Sequence, residues 1–422
     1  MNSVCCDQAS PKTLKNLDKA IAELQAMATQ IDHKLNSNCL ATEAVDLAQA
    51  LNRVLATDIY SQLNVPPADN SAVDGYALRI KDIIPGESIL ISQRIPAGKA
   101  PHALKENTVA RIFTGAHIPE GANCVVMQEN IILNDQQTHI CISEELIPQQ
   151  NIRPMGQDIK TGVCILSKGD VLTPQRLGLI ASMGITELNT YKPLKIAIFS
   201  TGDELVEPGQ AVREGQIYNS NRYLLSGFLK SLNFDILDLG VISDNLEHTL
   251  SALKKAVAEA DVVITTGGAS VGEEDYVQAA IHKLGKVDFW KVAIKPGKPV
   301  MLGNINNTPI LGLPGNPGAV FVTFLILARP FLLHKQGVKN SQPTPYSLPI
   351  SFDIKKSGKR REFIRVRRNS DNILELHPNQ SSGMLSSTSW AEGLAIIMEE
   401  TAPKKGDFVS FIPFDALLNL NN

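Results

Sequence analysis

The chain has 422 residues, of which 43% are hydrophobic and 20% are charged, and its formal net charge is −3. This is a soluble globular composition, and the length exceeds that of one ordinary core, so we expect about two to four domains. No strongly basic stretch covers a domain, which argues against nucleic-acid binding. No apolar run reaches the roughly 18–20 residues that span a bilayer, so no membrane role is predicted.

The amino-terminal residues and the cysteines favour a cytoplasmic location. The first residues lack the apolar segment of a secretory signal. The six cysteines are scattered and show neither zinc-ligand spacing nor a disulfide framework. We therefore expect a protein of the reducing cytosol.

The first third of the chain predicts a linking domain interrupted by a small β domain. Apolar residues recur at helical spacing over residues 17–31 and again after Thr42, a favourable N-cap. Residues 70–77 are small and polar around Asp74, which is typical of a turn or loop. Short runs between turn residues predict an all-β insertion over residues 77–150. Its predicted strands are residues 88–91, 108–113, 124–128, 130–133 and 139–142.

Three further segments complete the predicted organisation. Residues 151–190 return to a mixed pattern and, with residues 16–76, are predicted to form a discontinuous linking α/β domain. Residues 191–338 alternate strand and helix patterns, as in a doubly wound, three-layer α/β domain. Residues 339–422 predict a small C-terminal β-barrel from short strands. The basic run at residues 355–361 is more typical of a solvated hairpin than of a ligand site.

The stretch from Asp261 to Tyr276 organises the predicted central domain. Residues 262–266 are apolar and β-branched without polar alternation, as in a parallel strand covered on both faces. The strand ends at Gly267 and Gly268, where a backbone can turn sharply or approach a ligand. Open α/β sheets bind ligands at the carboxyl ends of their parallel strands. A ligand loop and a purely structural turn remain equally open on this pattern.

Acidic residues follow three consecutive strands of the predicted sheet. These are Glu204, Asp244 and Asp275, which the parallel topology places at one edge. Hard oxygen ligands clustered there would suit Mg²⁺. Each residue alone has an ordinary explanation: Asp244 as a helix N-cap, Asp275 as a partner of a helix dipole, and Glu204 as a solvated turn residue. Their coincidence favours a metal site.

Basic residues and a proline-glycine loop predict an anionic ligand. Lys291, Lys295 and Lys298 can hold an oxyanion or a phosphate. Residues 314–318 open a long helix, whose first backbone amides form another anion site. No nucleotide-binding or zinc-protease motif is present. Residue patterns alone thus predict an α/β enzyme for a phosphorylated ligand with a divalent metal.

Eight stretches in a distinctive order resemble a known family. They are SAVDGYAL, RIFTGAHIPEGANCVV, IRPMGQDIKTG, IFSTGDELVEPG, GQIYNSN, TTGGASVGEEDY, FWKVAIKPGKP and LGLPGNPGA. This set is similar to the molybdopterin molybdotransferase family, which includes the bacterial molybdenum-insertion protein and the E domain of gephyrin-like proteins. The resemblance covers residues 42–332 closely and is weaker from residue 340 onward.

The resemblance implies a transferase that inserts molybdenum from molybdate into adenylylated molybdopterin, with Mg²⁺-dependent release of AMP. It implies an elongated homodimer of four-domain subunits, in which loops of the partner complete the active-site cleft. An upstream molybdopterin adenylyltransferase and downstream molybdoenzyme apoproteins are the candidate partners.

The resemblance also implies roles for particular residues. The implied catalytic residues are acidic, and three of them would lie near the metal: Asp74, Asp158, Glu204, Asp244 and Asp275, of which Glu204, Asp244 and Asp275 form the metal set. The implied cofactor-binding residues hold anionic groups or shape the pocket: Thr114, Arg153, Gly267, Gly268, Ser270, Lys291, Lys295, Pro314, Pro317, Arg365 and Ser382.

Two other classes of function remain open at this stage. One is an enzyme similar to molybdopterin adenylyltransferases, which share the central fold and lack the flanking domains. The other is a gephyrin-like scaffold without enzymatic activity, against which the presence of all five carboxylates argues. An assay for ATP-dependent adenylylation separates the first class from an insertase, and an insertase assay tests the second.

Overall fold

The computed structural model describes residues 14–33, 40–267, 276–355 and 358–420. The chain divides into two compact units. The first comprises residues 1–57, 168–173 and 187–422, and the second comprises residues 58–167 and 174–186. The finer division into four domains stays a prediction. Strands and helices are numbered below in chain order.

A six-stranded mixed sheet forms the centre of the first unit. Its strands, in their order across the sheet, are β16 (Asp235–Ile242), β13 (Lys195–Thr201), β17 (Val262–Thr266), β21 (Thr308–Leu313), β20 (Pro299–Ile305) and β18 (Lys286–Lys291). The first four run parallel to one another. The last two are antiparallel to their neighbours. The parallel strands therefore all end at the same edge of the sheet.

Helices pack on both faces of this sheet because its central strands are apolar on both sides. Within β13, Ile198 belongs to one core cluster and the next residue, Phe199, to another. Phe228 of one helix packs in the first cluster, and Leu253 of another packs in the second. The helices of this unit that pack in the two clusters are α1 (Leu17–His33), α3 (Ser220–Ser231), α4 (Leu246–Glu259), α5 (Tyr276–Leu284), α6 (Pro317–Thr323), α7 (Arg329–Lys335) and α9 (Phe414–Leu418).

Helices α6 and α7 are joined by a π-helical segment, Phe324–Ala328, into one apolar helix of 19 residues. By length and composition this helix could cross a membrane, which corrects the expectation that no apolar segment reaches that length. However, 89% of its most apolar 18-residue stretch is buried inside the protein. The helix contributes Phe324 and Phe331 to the larger core cluster. It is therefore the core helix of the central sheet.

A second six-stranded sheet forms the C-terminal part of the first unit. Its strands run in the order β19 (Ile294–Lys295), β23 (Arg361–Arg368), β25 (Gly393–Ile397), β26 (Phe408–Pro413) and β22 (Tyr346–Pro349), with β24 (Leu374–Leu376) also paired to β23. A single bridge joins Ile350, just after β22, to Leu374 of β24. Two short helices, α8 (Ser386–Trp390) and α9 (Phe414–Leu418), flank the sheet.

Two small ladders complete the first unit. One pairs β1 (Thr42–Asp46) with β12 (Glu187–Tyr191) in antiparallel register. The other pairs β14 (Leu205–Val206) with β15 (Ile217–Tyr218) in parallel register.

The second unit is mainly β-structure. Its largest sheet has the order β7 (Cys124–Met127), β4 (Gly75–Leu78), β6 (Thr108–Ile112), β5 (Ser88–Ile95), β9 (His139–Ile142) and β8 (Ile131–Leu133). Each strand predicted for this region is present, although several ends differ by one to four residues. Two short ladders, β2 (Ile59–Tyr60) with β11 (Cys164–Leu166) and β3 (Asn70–Ser71) with β10 (Ile152–Arg153), and helix α2 (Pro174–Ser182) make up the rest.

Three local predictions were wrong. The helix expected after Thr42 is strand β1, because antiparallel pairing with β12 outweighs a weak helical pattern. Helix α4 is capped by Asn245 and not by Asp244: the Asn245 side chain accepts a hydrogen bond from the His248 backbone N–H. The predicted loop at residues 70–77 contains strand β3 and the start of β4, with Asp74 in the turn between them.

Candidate active site

A cavity of about 860 Å³ lies in the first unit, beyond the carboxyl ends of three neighbouring parallel strands. The last residues of β13 and β17, Thr201 and Thr266, line it. Pro314, which follows β21, lines it as well. The C-terminal sheet supplies the opposite wall through β23. The cavity is therefore at the position where open α/β sheets bind ligands.

Gly267 permits the close approach of two strand ends at this position. Its φ of +85° lies in the left-handed region, and a Cβ atom there would lie 2.7 Å from the backbone oxygen of Thr201. Any larger residue would be strained and would push the end of β17 away from that of β13. The glycine thus shapes the floor of the cavity.

The charged side chains around the cavity are predominantly basic. Four cations line it, Lys295, Lys298, Arg360 and Arg365, together with two carboxylates, Glu204 and Glu362. The resulting excess of positive charge favours an anionic ligand. The volume lies within the range of cavities that bury small organic ligands.

Arg365 is the most deeply buried of these cations, with an exposed fraction of 1%. Its Nε donates to Ser387 Oγ at 3.1 Å, and its Nη2 donates to the backbone oxygen of Ser381 at 3.1 Å. Burial lowers the pKa of Arg365 to about 10, which still leaves the guanidinium protonated at pH 7. Both observed acceptors are neutral, so neither of these hydrogen bonds neutralises the charge of Arg365.

Gln380 holds the loop that follows β24 against the backbone of Arg365. Its Oε1 accepts from the Arg365 N–H at 3.0 Å, and its Nε2 donates to the Arg365 carbonyl at 2.8 Å. The same loop places Ser381 and Ser382 in the cavity wall. The backbone oxygen of Ser382 accepts from the N–H of Gly318 at 2.7 Å, which joins the loop to the start of α6. Elements from both sheets therefore meet around one cavity.

Lys295 and Glu362 form an ion pair in this wall. Lys295 Nζ lies 3.0 Å from Glu362 Oε1. The two residues are also register partners in the parallel pairing of β19 with β23. Lys295 is thus placed by a strand that crosses from the central sheet to the C-terminal one.

The acidic residues of the predicted metal set are only partly brought together. Glu204 lines the cavity, whereas Asp244 is exposed outside its lining, and its N–H donates to Asp203 Oδ1 at 3.1 Å. Asp275 lies outside the described residues. Among the described residues, no group of three or more His, Cys, Asp and Glu side chains could hold a metal ion. The described chain therefore offers one acidic ligand of the predicted set at the cavity.

In the second unit, Asp74 and Thr114 form a compact pair. Asp74 Oδ1 accepts from the Thr114 N–H at 2.7 Å and from its Oγ1 at 2.8 Å. These two hydrogen bonds lower the pKa of the Asp74 carboxyl, with a smaller effect of the Arg111 charge in the same direction. The aspartate is therefore fixed as an ionised acceptor at neutral pH.

Three family models cover most of the chain. Residues 15–184 match the "MoeA N-terminal region (domain I and II)", residues 197–334 match a "Probable molybdopterin binding domain", and residues 347–414 match the "MoeA C-terminal region (domain IV)". A curated protein from Haemophilus influenzae named molybdopterin molybdenumtransferase is 43% identical over 326 residues, which cover 77% of this chain and 80% of that protein. The chain belongs to the molybdopterin molybdenumtransferase family.

Further relatives agree with this assignment. A molybdopterin molybdenumtransferase from a Nostoc species is 34% identical over 84% of this chain and 85% of its own length. Among solved structures, a molybdopterin biosynthesis protein from Pyrococcus horikoshii has a TM-score of 0.80 at 27% identity, covering 94% of this chain and 99% of that protein. The mixed α/β multidomain architecture is therefore shared along almost the whole chain.

Within this family member, the predicted site residues fall into four groups. Seven line the cavity: Glu204, Gly267, Lys295, Pro314, Pro317, Arg365 and Ser382. Two are described in the first unit outside the cavity lining: Asp244 and Lys291. Four belong to the second unit: Asp74, Thr114, Arg153 and Asp158. Three lie outside the described residues: Gly268, Ser270 and Asp275.

Several residues of the cavity were not among the predicted site residues. Arg360 belongs to the basic run that was interpreted as a solvated hairpin, yet it lines the cavity, as does Glu362. Gln380 and Ser381 come from a loop without a recognisable motif. The basic run was the one sequence signal that pointed to these residues. A solvated hairpin and a cavity wall have the same composition, so the sequence did not decide between them.

Proposed function

We propose that this chain inserts molybdenum from molybdate into adenylylated molybdopterin and releases AMP. As a member of its family the chain is a transferase, and it acts in molybdenum cofactor biosynthesis. The observation that carries the proposal is the basic cavity at the carboxyl edge of the parallel strands. A pterin ligand with phosphate groups, and the molybdate anion, both need cations of the kind that Arg365 and Lys295 provide.

The described residues that line the cavity have different roles on its two sides. On the side of β23, Arg365 and Arg360 bind and orient anionic oxygens, and Lys298, which directly precedes β20 of the central sheet, adds a third cation. Neutral donors and acceptors accompany them, since Ser382 and Gln380 lie in the same wall. On the side of the central sheet, Glu204 lines the cavity just beyond the end of β13. Positive charge that neutralises the oxygens of a phosphoanhydride stabilises the transition state of its cleavage.

We infer a role for Mg²⁺ on the same side. The described residues alone do not make a three-carboxylate site, but Mg²⁺ is commonly held by one or two carboxylates with substrate phosphates and water. Glu204 fits that pattern and would hold the ion, with Asp244 and Asp275 as the further candidates. When bound, Mg²⁺ supplies charge neutralisation at the phosphate oxygens.

An assay with purified protein tests the proposed reaction. The chain is incubated with adenylylated molybdopterin, molybdate and Mg²⁺, and AMP release is measured together with the reconstitution of a molybdenum-dependent apoenzyme. We expect both signals, and both should disappear when Mg²⁺ is chelated. Adenylylation of molybdopterin from ATP would instead indicate an adenylyltransferase-like enzyme. Absence of both reactions would favour a scaffold.

A variant of Asp275 tests the acidic residue outside the described chain. Asp275→Ala is expected to keep the fold and to abolish insertion, because the pocket loses a negative charge that positions the metal or its water. Circular dichroism and the insertion assay measure the two properties. Normal insertion by the purified variant would remove Asp275 from the mechanism.

We further propose a homodimer in which the second unit of one subunit completes the cavity of the other. Co-expression of an Asp74→Asn chain with an Arg365→Met chain tests this arrangement, because the arginine variant is expected to lose most of its anion binding. A heterodimer would contain one intact site if the two residues meet between subunits, so activity should reappear. No recovery, or a monomer by light scattering, would contradict the arrangement.

The remaining proposals concern cellular context and architecture. We expect a cytoplasmic protein that receives its substrate from a molybdopterin adenylyltransferase and supplies molybdoenzyme apoproteins.

We also infer four domains per subunit and a closed C-terminal barrel. The bridge from Ile350 to Leu374 supports closure, since the Ser351 N–H also donates to the Leu374 carbonyl at 2.9 Å. Slow hydrogen exchange at Ser351 would support the barrel, and fast exchange would contradict it.

A further inference from the structure

One carboxylate stands within the basic wall of the cavity. Glu362 lines the cavity beside Lys295, Lys298, Arg360 and Arg365. A bound anion is attracted by the four cations and repelled by Glu362. A wall built only for tight binding of an anion would not contain this residue.

The backbone holds Glu362 next to Lys295. The two are register partners between β19 and β23, and Lys295 Nζ donates to Glu362 Oε1 at 3.0 Å. The Glu362 side chain is 13% exposed, whereas the Lys295 side chain is 51% exposed. The carboxylate is therefore confined, and the ammonium group has space to move.

Lys295 can consequently exchange partners. Its flexible stem carries a compact charge with three donors, so the ammonium group can turn from Glu362 towards an anion in the cavity. Part of its attraction for the anion is offset by the loss of the contact with Glu362. The buried guanidinium of Arg365 has no such competitor, because its observed acceptors are a serine hydroxyl and a backbone carbonyl.

We propose that Glu362 is a positioning residue that weakens anion binding through Lys295 and thereby keeps product release fast. The inference rests on the proposed function, in which molybdate enters the cavity and a phosphate ester leaves it. Arg365 then provides the constant part of the binding energy, and the Lys295–Glu362 pair provides the part that is reversed in each turnover.

Glu362→Gln tests the proposal, because it removes the charge and keeps the size and a hydrogen-bond acceptor. By calorimetry, molybdate and inorganic phosphate are expected to bind about threefold more tightly or better. In the insertion assay, kcat and KM are both expected to fall, as slower release predicts. Glu362→Asp, which keeps the charge, should restore affinity to within about twofold of the original protein. A variant with a damaged fold would bind these anions less tightly, so tighter binding by Glu362→Gln would not be an effect of misfolding.

Glu399→Gln is the matched control. Glu399, in the turn after β25, accepts from Nε of Arg361 in β23 at 3.4 Å and is not among the residues that line the cavity. This variant removes an equal charge and should change molybdate affinity by less than about 1.5-fold. An equal tightening in both variants would show a general effect of net charge and would overturn the proposal.

A Lys295→Gln background tests whether Glu362 acts through Lys295. In that background the effect of Glu362→Gln should fall to less than about half of its original size. An undiminished effect would overturn the proposed exchange, as would unchanged or weaker binding by the single variant. If the original protein bound neither molybdate nor phosphate, the proposed function of the cavity would fail, and this inference would fail with it.

Discussion

Two arginines of the first unit, Arg329 and Arg365, are buried to the same degree and differ in what surrounds them. Each has an exposed fraction of 1%, and burial lowers the pKa of each to about 10. Arg329 donates to the backbone oxygens of Ser341, Ala416 and Asn419 at 2.7, 3.2 and 3.5 Å. It ties α7 to the chain around α9.

Arg365 has neutral acceptors as well, but it lines the cavity. The burial of a guanidinium therefore does not by itself indicate an anion site. A buried charge costs free energy unless it is compensated. Arg329 compensates part of that cost with carbonyls of its own chain, and Arg365 is placed to do so with a ligand.

The largest effect should come from Arg329→Met. Three backbone carbonyls would lose their donor, so the free energy of unfolding should fall by about 3 kcal/mol. Chemical denaturation measures this change. Molybdate affinity should stay unchanged in calorimetry, since Arg329 is not part of the cavity. A loss of affinity equal to that of an Arg365 variant would contradict a purely structural role for Arg329.

Arg365→Met should mainly reduce molybdate affinity and should affect stability less than Arg329→Met does. Loss of a charged donor at the cavity should weaken molybdate binding by about 30-fold, or about 2 kcal/mol. The denaturation midpoint should move less than that of Arg329→Met. Arg365→Lys is the control, because it keeps a charge but not the planar group that reaches Ser387. Unchanged affinity in the Met variant would remove Arg365 from the site.

Lys295→Ala should have a smaller effect on the same affinity. The side chain is half exposed and its charge is screened, so a loss of about threefold is expected at low salt. Calorimetry at two salt concentrations tests this, and the difference from the original protein should shrink as salt rises. An affinity that does not change at low salt would contradict a contact between Lys295 and the anion.

The smallest effect should come from Ser387→Ala. Its Oγ accepts from Arg365 Nε, so its loss should weaken molybdate binding by about twofold through a less firmly held guanidinium. Ser341→Ala is the matched variant for the other arginine. Arg329 uses the backbone oxygen of Ser341, so that substitution should affect neither stability through Arg329 nor binding. A small loss of stability is expected from the hydrogen bond that Gln25 Nε2 donates to Ser341 Oγ at 3.3 Å, whereas a loss of molybdate affinity in Ser341→Ala would contradict this description.

The central sheet could be predicted because its strands carry an unambiguous signal. Residues 262–266 are apolar on both sides, and β17 is buried along its length. Strand β1 could not be predicted, since its pairing partner β12 lies more than a hundred residues away and the local apolar spacing fits a helix. The cap of α4 was misassigned by one residue because Asp244 and Asn245 are both favourable N-caps.

In the candidate site, too, residues in local motifs could be predicted, and a residue that only strand pairing brings to the cavity could not. Lys295, Pro314 and Gly267 were predicted as site residues from the family resemblance, and all three line the cavity. Glu362 was not predicted, because only the pairing of β19 with β23 brings it beside Lys295. Contacts between two sheets depend on how the sheets pack, which no local pattern of residues encodes.

The amino-terminal helix α1 is tied to the strand that carries the cavity residues. Asp18 binds Arg361 through two hydrogen bonds of 2.6 and 2.8 Å, and Arg361 begins β23. The neighbouring Arg360 and Glu362 both face the cavity. Shortened versions of the protein for ligand-binding work should therefore retain Leu17–His33, and affinity tags are better attached elsewhere than directly before this helix.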